Sequence, residues 1–479
     1  MRPISRCSAA KTGVAGNLWV FLFYPTSYYI IESTFFWKVE REIMRKIKTK
    51  IPPQLYILLT FFSVIVIGTI LLVLPFSTTD GKGLSFIEAL FTATSATCVT
   101  GLSVVNCAEL SLFGRVILAL LIEVGGLSFL TIATFIFSLF SKLTVGSYKL
   151  MSEALNNDHP GEAMRLIKRI LLFSFIIQSA GAVVNALIFR FQFQMDPASS
   201  IGYGLFHSIS SFNNAGLDIF GANSLLDYAG NVWLNVNTMI LIILGGIGFV
   251  VLEDIVFKRK WRRFSLTSKI ALTMTALLLI GGTLLLKLSL GDSITWLQAA
   301  FQSVTARTAG FSTFDMADLN ASSYLVMIIL MFIGASPAST GGGLKTTTFF
   351  IILLLIYRFV RKETPTVFRR RIPKKVIDKA LIIFTVEIFY VMMITFILTF
   401  VERDIAFQGL LFEVISAFAT VGLSMGVTGE LSLAGQIIII VTMFFGRLGP
   451  LTILSLGNSR KNEIKDKEIR FIEEKVIVG

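Results

Sequence analysis

The chain is 479 residues long, 54% hydrophobic and only 15% charged, more apolar surface than a soluble protein of this size can hide, so it is a polytopic membrane protein. Its net charge of +13 is clustered between hydrophobic stretches and forms no basic patch interleaved with base-stacking aromatics, which argues against nucleic acid as a partner. Three cysteines (Cys7, Cys98, Cys107) have neither metal nor disulfide spacing, and two histidines, His159 and His207, are too few for a His-based metal site or proton relay.

Residues 1–43 stand apart from the rest of the chain. Gly16 to Trp37 is apolar but interrupted by Pro25 and Glu32, and no small-residue cleavage site follows a compact apolar run. The stretch reads as an N-terminal extension, disordered or interfacial but not spanning, with Met44 as a natural start. From residue 44 one pattern recurs four times: a hydrophobic run of roughly 20 residues or more, enough to cross ~30 Å of hydrocarbon, then a shorter helix-like run, then a second long run. Repeat 1 (44–145) has spans at 54–76 and 112–140 around a short segment at 84–98. Repeat 2 (146–262) has 166–192 and 231–256 around 199–213. Repeat 3 (263–372) has 266–288 and a broken 322–358 around 294–307. Repeat 4 (373–458) has 376–401 and 433–457 around 406–419, and 459–479 is a charged tail. The expected fold is all-α: four pseudo-repeats of span, pore helix and span around one central pore, with eight transmembrane helices and four re-entrant pore loops. Irregular backbone at membrane depth is tolerated only where protein buries it or where it lines water, so the four short segments should face a shared axis.

Charge sets the expected orientation. Lys and Arg gather at Lys142 to Arg169, Lys258 to Arg263 and Arg358 to Lys375, which marks those connections as cytoplasmic and places both ends of the core there. The segments joining each short helix to its second span carry Glu109, Asp218, Asp227, Asp315, Asp318 and Glu430 and no Lys or Arg. Such an acidic outer vestibule would concentrate cations; acids simply avoiding the inner face account for the pattern equally well.

The short segments look like copies of one another. In each a Phe (Phe91, Phe206, Phe301, Phe412) is followed by a Gly (Gly101, Gly216, Gly310, Gly422) ten residues later, nine in the third. A pore for a bare monovalent cation must replace its water with oxygens, and backbone carbonyls do so without fixed charge. Gly permits the left-handed torsions that aim them. The four glycines would supply one ring, with Val99, Thr100, Asn214, Ala215, Thr308, Ala309, Thr420 and Val421 adding carbonyls around it. The alternative, small residues easing helix packing, would do for any one Gly but not for four at matching spacing.

A second alignment lies 24 residues on from Gly101, Gly310 and Gly422, at Gly125, Gly334 and Gly446; the second repeat needs 29 to reach Gly245. The next residues are Gly126, Gly246, Ala335 and Arg447. Some fourteen residues of helix precede this level, about 20 Å, which puts it near or below mid-membrane. Beside it the third repeat loses its helix at Gly334-Ala-Ser336-Pro337-Ala-Ser339-Thr340-Gly341-Gly342-Gly343-Leu-Lys345, where Pro and three glycines cannot hold a helix cheaply. Either this is a kinked helix packing closely or it is a flexible gate beneath the filter whose freed backbone groups line water. Arg447 facing the pore would repel cations and donate to carbonyls of the 336–343 loop, and a snorkelling helix-end Arg is the alternative. Glu123 lies at similar depth and either partners Arg447 or faces another helix.

The runs TCVTGL, FNNAGLD, TARTAGFS, TVGLS and SPASTGGGLKT, in that order over about residues 50–457, resemble the potassium-transporter superfamily of Ktr, Trk and plant HKT proteins. Trk-type members carry two additional spans that residues 1–50 cannot supply, so the resemblance is to the Ktr membrane subunits. It implies potassium uptake, since all-Gly filters go with potassium and a Ser at the position of Gly101 with sodium. It also implies an intramembrane gate at the broken span, homodimers with one pore per protomer, and docking on a KtrA-like ring of cytosolic nucleotide-binding regulatory subunits. Sodium is expected to stimulate, although no residue locates a site for it. The chain itself has no P-loop or Rossmann fingerprint, no cofactor is expected, and membrane lipids are its other partners. The setting is the plasma membrane, and a bacterial one.

Two other classes fit less well. An alternating-access carrier would show inverted repeats with ionisable groups at the midplane, and here the repeats run in the same orientation. A sodium-permeable or sodium-coupled relative remains the nearest alternative. A membrane enzyme would need clustered nucleophiles, His/Asp pairs or metal ligands, and none clusters.

Overall fold

The computed structural model describes residues 53–127, 160–221 and 223–449. The extension 1–43, the far end of the span 112–140, the connection after it, the last residues of the span 433–457 and the tail lie outside the described residues.

Caps written into the sequence start most of the helices. In α2 (Phe86–Cys98) the Ser85 amide and hydroxyl donate to the Glu88 carboxylate at 2.9 and 2.7 Å. In α5 (Pro197–Phe212) the Asp196 carboxylate accepts from Ser199 N–H at 3.0 Å, and Pro occupies the first turn. In α9 (Trp296–Thr305) Thr295 and Gln298 bond reciprocally at 3.0 and 3.2 Å. Only α13 (Phe407–Phe418) of these short helices starts without a side-chain cap. Each short helix follows a longer one: α1 (Pro53–Val73), α4 (Pro160–Phe191), α8 (Leu266–Leu290) and α12 (Lys374–Val401). Each then leads to a further helix with an Asn or Ser cap: α3 (Leu112–Gly126) from Ser111, α6 (Val232–Gly246) from Asn231, α10 (Ala321–Phe332) from Asn320 and α14 (Leu433–Leu448) from Ser432. Replacing one such cap by Ala costs about 1 kcal/mol.

Among the described residues three helices are long and apolar enough to cross a membrane alone, Ile167–Phe191 in α4, Leu266–Ser293 from α8 onward and Lys374–Val401, which is α12. The helices at the second-span positions are shorter as far as they are described: the spans 112–140 and 433–457 run on beyond the described residues, and the third span is broken as expected. α3, α6, α10 and α14 stop after 15, 15, 12 and 16 residues, and 15 residues rise only about 22 Å. Contacts show what meets them there. A Cβ on Gly125, Gly245 or Gly446 would fall on the carbonyl oxygen of Thr97, Phe212 or Phe418, so the last turn of each preceding short helix is pressed against the glycine. In the first, second and fourth copies the glycine level is therefore where the short helices end, and in the third Gly334 meets the Gly342 carbonyl of the loop instead.

The expected single span 231–256 needs correcting. It breaks after Gly246, and the continuation α7 (Phe249–Glu253, then a π-turn to Lys258) leaves at 98°. Gly248 turns the chain at φ +96°, and the Pro337 carbonyl occupies the place of its missing side chain. Among the described residues a short antiparallel hairpin, β1 (Thr366–Val367) with β2 (Arg370–Arg371), is a small exception to the helices.

The packing closes on itself. Besides its own neighbours, α3 packs on α5, α6 on α9, α10 on α13 and α14 back on α2, so each end helix braces the next short helix in a circle of four. The repeated phenylalanines Phe91, Phe206, Phe301 and Phe412 are buried inside it.

Candidate ion pathway

The four glycine segments meet. A Cβ on Gly101 would lie 2.6 Å from the Ala215 carbonyl oxygen, one on Gly216 2.5 Å from that of Ala309, and one on Gly310 2.5 Å from that of Val421. One on Gly422 would overlap the Thr100 oxygen, which closes the ring. No side chain fits at any of the four, and all have positive φ, from +67° to +101°. Val99, Asn214, Thr308 and Thr420, two residues earlier in each segment, are also left-handed, at φ 56°, 59°, 73° and 52°. For Val and Thr that conformation costs about 1–3 kcal/mol. With ordinary torsions at the residue between, the sign alternates along each segment, which turns successive carbonyls to one side where a β-strand would alternate them.

The strain is held from behind. The amides of Thr100, Ala215, Ala309 and Val421 donate to the carbonyls of Ser95, Ser210, Thr305 and Ser416 at 2.8, 2.8, 2.9 and 2.8 Å, one hydroxyl residue on each short helix. The hydroxyls act too: Ser95 and Ser416 accept from the Gly101 and Gly422 amides at 3.1 and 3.0 Å. Ser210 and Thr305 instead donate to the Leu217 and Phe311 carbonyls at 2.6 and 2.7 Å. Sequence reasoning missed this set, although a hydroxyl six residues before the Gly (five in the third copy) was there to be read. It also missed the buried polar residue after each Phe: Thr92, His207, Gln302 and Glu413. The Glu413 carboxylate accepts from Ser424 at 2.8 Å and from Thr428, bracing the chain beyond Gly422.

On one face of the ring lies a cavity of about 320 Å³ lined by all four glycines, Asp218 and hydroxyls of Ser103, Ser224 and Ser424 among others. Of the six acids assigned to a vestibule, only Asp218 lines it. Burial pushes the Asp218 carboxyl up to about 6, against hydrogen bonds from Phe220 N–H and Ser224 that favour its charged form.

On the other face lies the loop between α10 and α11 (Thr346–Val360). A Cβ on Gly341 or Gly342 would strike the hydroxyl of Thr308 or Thr420, and one on Gly343 would sit 3.1 Å from the Ala419 methyl, so the loop lies directly against the glycine segments. Protein groups bond to much of its backbone and to the helix ends beside it. Ser336 N–H and Thr340 N–H donate to the carbonyls that α6 leaves free at Gly246 and Gly245, at 3.0 and 3.3 Å, and Phe249 N–H donates to Ala338 O at 2.8 Å. Lys345 Nζ donates to the Gly341 and Gly342 carbonyls at 2.7 and 3.2 Å. The Ser339 hydroxyl closes onto Ser336 O at 2.6 Å.

Arg447 reaches the same loop. Its guanidinium donates to Thr340 O on one side and to Gly125 O on the other, with Gly126 O at 3.4 Å. It thus ties the loop to the end of α3 and does not snorkel. Glu123 is not its partner: that carboxylate accepts from Asn213 at 2.7 Å and from Gln178 at 3.0 Å, facing α4 and α5.

Residues 44–461 match the TrkH cation transport protein family. The chain is 40% identical to Ktr system potassium uptake protein B of Bacillus subtilis over 428 residues, covering 86% of this chain and 95% of that one. It is 36% identical to the potassium/sodium uptake protein NtpJ of Enterococcus hirae over 453 residues, 91% of this chain and 100% of that one. Its fold is similar to the crystal structure of the potassium transporter TrkH from Vibrio parahaemolyticus, with a TM-score of 0.67 over 84% of each chain at 22% identity.

Proposed function

The chain belongs to the TrkH family of cation transport proteins, membrane transporters and not enzymes, and from that premise we propose that it takes up potassium through the ring of Gly101, Gly216, Gly310 and Gly422. One observation carries the reading: four strained segments converge so closely that each glycine abuts the next segment's carbonyl. Oxygens so arranged can replace the water of a monovalent cation without fixed charge. Asp218 would draw cations into the cavity above. The loop 336–343, pinned by Lys345 and Arg447, would be the gate below. The eight-span, four-loop topology, with basic connections cytoplasmic in a bacterial plasma membrane, belongs to the same reading. So do a homodimer, a cytosolic nucleotide-binding ring of the KtrA kind, and stimulation by sodium.

A sodium-permeable pore is the second reading, favoured by the similarity to a potassium/sodium uptake protein. Growth of a potassium-uptake-deficient bacterial host on limiting potassium, with potassium and sodium uptake measured with and without a cytosolic partner, tests both. Rescue with uptake of potassium in preference to sodium supports the first. Uptake of sodium alone would overturn it.

A further inference from the structure

The ring looks four-fold in its glycines but divides into two unlike halves in what holds it. In the first and fourth copies the hydroxyl behind the segment grips the glycine amide itself: Gly101 N–H to Ser95 Oγ at 3.1 Å and Gly422 N–H to Ser416 Oγ at 3.0 Å. In the second and third copies the corresponding hydroxyl, of Ser210 or Thr305, grips the carbonyl one residue past the glycine, at Leu217 or Phe311. Those two segments are tied to each other instead, through Asn214 Nδ2 donating to Thr308 Oγ1 at 3.3 Å. The first and fourth segments have no such tie: the buried hydroxyls of Thr100 and Thr420 bond to nothing among the described residues.

Peptide geometry gives the asymmetry a consequence. In a trans peptide the N–H of one residue and the C=O of the residue before it point in opposite directions. Drawing the Gly101 and Gly422 amides back onto their short helices therefore turns the Thr100 and Val421 carbonyls away from those helices. Those are the oxygens that abut Gly422 and Gly310 across the ring.

We infer that Ser95 and Ser416 are specificity-determining positioning residues: each fixes, through one glycine amide, the direction of a ring carbonyl, and together they set the preference for potassium over sodium in the half of the ring that lacks the Asn214–Thr308 tie. They do not touch the ion. A carbonyl released from this restraint can swing to shorten its distance to a smaller ion, so sodium gains. The inference rests on the ring being the filter.

The test is the potassium/sodium uptake ratio of the full chain in proteoliposomes. Ser95→Ala and Ser416→Ala are each expected to lower it about fivefold, as loss of one net hydrogen bond does, and the pair to lower it further, while Ser95→Thr and Ser416→Thr, which keep the hydroxyl, retain most of it. Ser210→Ala, which frees a carbonyl beyond the ring, should lower it less. If the alanine variants fail to assemble, Ser95→Cys and Ser416→Cys keep the shape with a weaker acceptor and carry the same expectation. Gly101→Ser separates the two layers of reasoning. If it shifts the ratio while the alanine or cysteine variants keep it, the positioning role is wrong and the filter stands. If Gly101→Ser also leaves the ratio unmoved, the filter reading is wrong and this inference falls with it.

Discussion

Removing the Arg447 guanidinium should open the pathway without changing what passes through it. The side chain makes two charge-assisted hydrogen bonds that join separate elements, to Thr340 O in the loop and to Gly125 O at the end of α3. Counted at about 1.5 kcal/mol net each, Arg447→Ala takes about 3 kcal/mol from the closed arrangement. At 1.4 kcal/mol per tenfold, the closed loop's advantage falls about 100-fold. Flux then rises by up to that factor, limited by how often the loop already opens. Rubidium uptake into proteoliposomes at matched protein density measures it, and the potassium/sodium ratio should stay within about twofold, since the guanidinium bonds the loop and α3 and not the ring. Arg447→Lys should fall between, because one ammonium cannot bridge both carbonyls as a planar fork does. Unchanged flux from a folded Arg447→Ala protein would refute the loop as the barrier, and a changed ion ratio would refute the separation of gate from filter.

Three further perturbations probe other parts. Gly101→Ser places a side chain within 2.6 Å of the Ala215 carbonyl at φ +101°, so it should reduce the preference for potassium about tenfold, read by competition uptake. Asp218 is charged above its shifted value of about 6 and neutral below it. Apparent potassium affinity should therefore fall a few-fold as the pH on the cavity side drops through that value, and Asp218→Asn should give the low-pH affinity at every pH. Gly446→Ala would put a methyl on the Phe418 carbonyl, and the displaced backbone should destabilise the protein by about 1–3 kcal/mol, seen as a lower melting temperature in detergent.

Much of this architecture was legible because it is repeated. A Phe followed by a Gly ten residues on, nine in the third copy, recurs four times, and a site built from backbone needs little else from its side chains. The broken span in the third copy announced itself through Pro337 and Gly341 to Gly343, and Arg447 through the oddity of a charge within an apolar run. What was hidden depends on contacts between copies. The break after Gly246 has no proline to mark it; it exists because Ser336 and Thr340 of another copy take over the α6 carbonyls. The glycine alignment was visible, but its meaning at Gly125, Gly245 and Gly446, a place for the ends of the short helices to rest, needed the carbonyls of Thr97, Phe212 and Phe418, and at Gly334 the loop carbonyl of Gly342. Whether Glu123 partners Arg447 or faces another helix was left open because depth is legible and azimuth is not: the carboxylate turns to Asn213 and Gln178.

The central claim is that a dehydrated potassium ion sits on the common axis of the four glycine segments, held by main-chain oxygens. Anomalous diffraction from crystals grown in rubidium or thallium salts addresses it directly. The account predicts density equidistant from the Thr100, Ala215, Ala309 and Val421 carbonyls, lost when sodium replaces the heavier ion. Density confined to side-chain carboxylates such as Asp218, with none within the glycine ring, would contradict it.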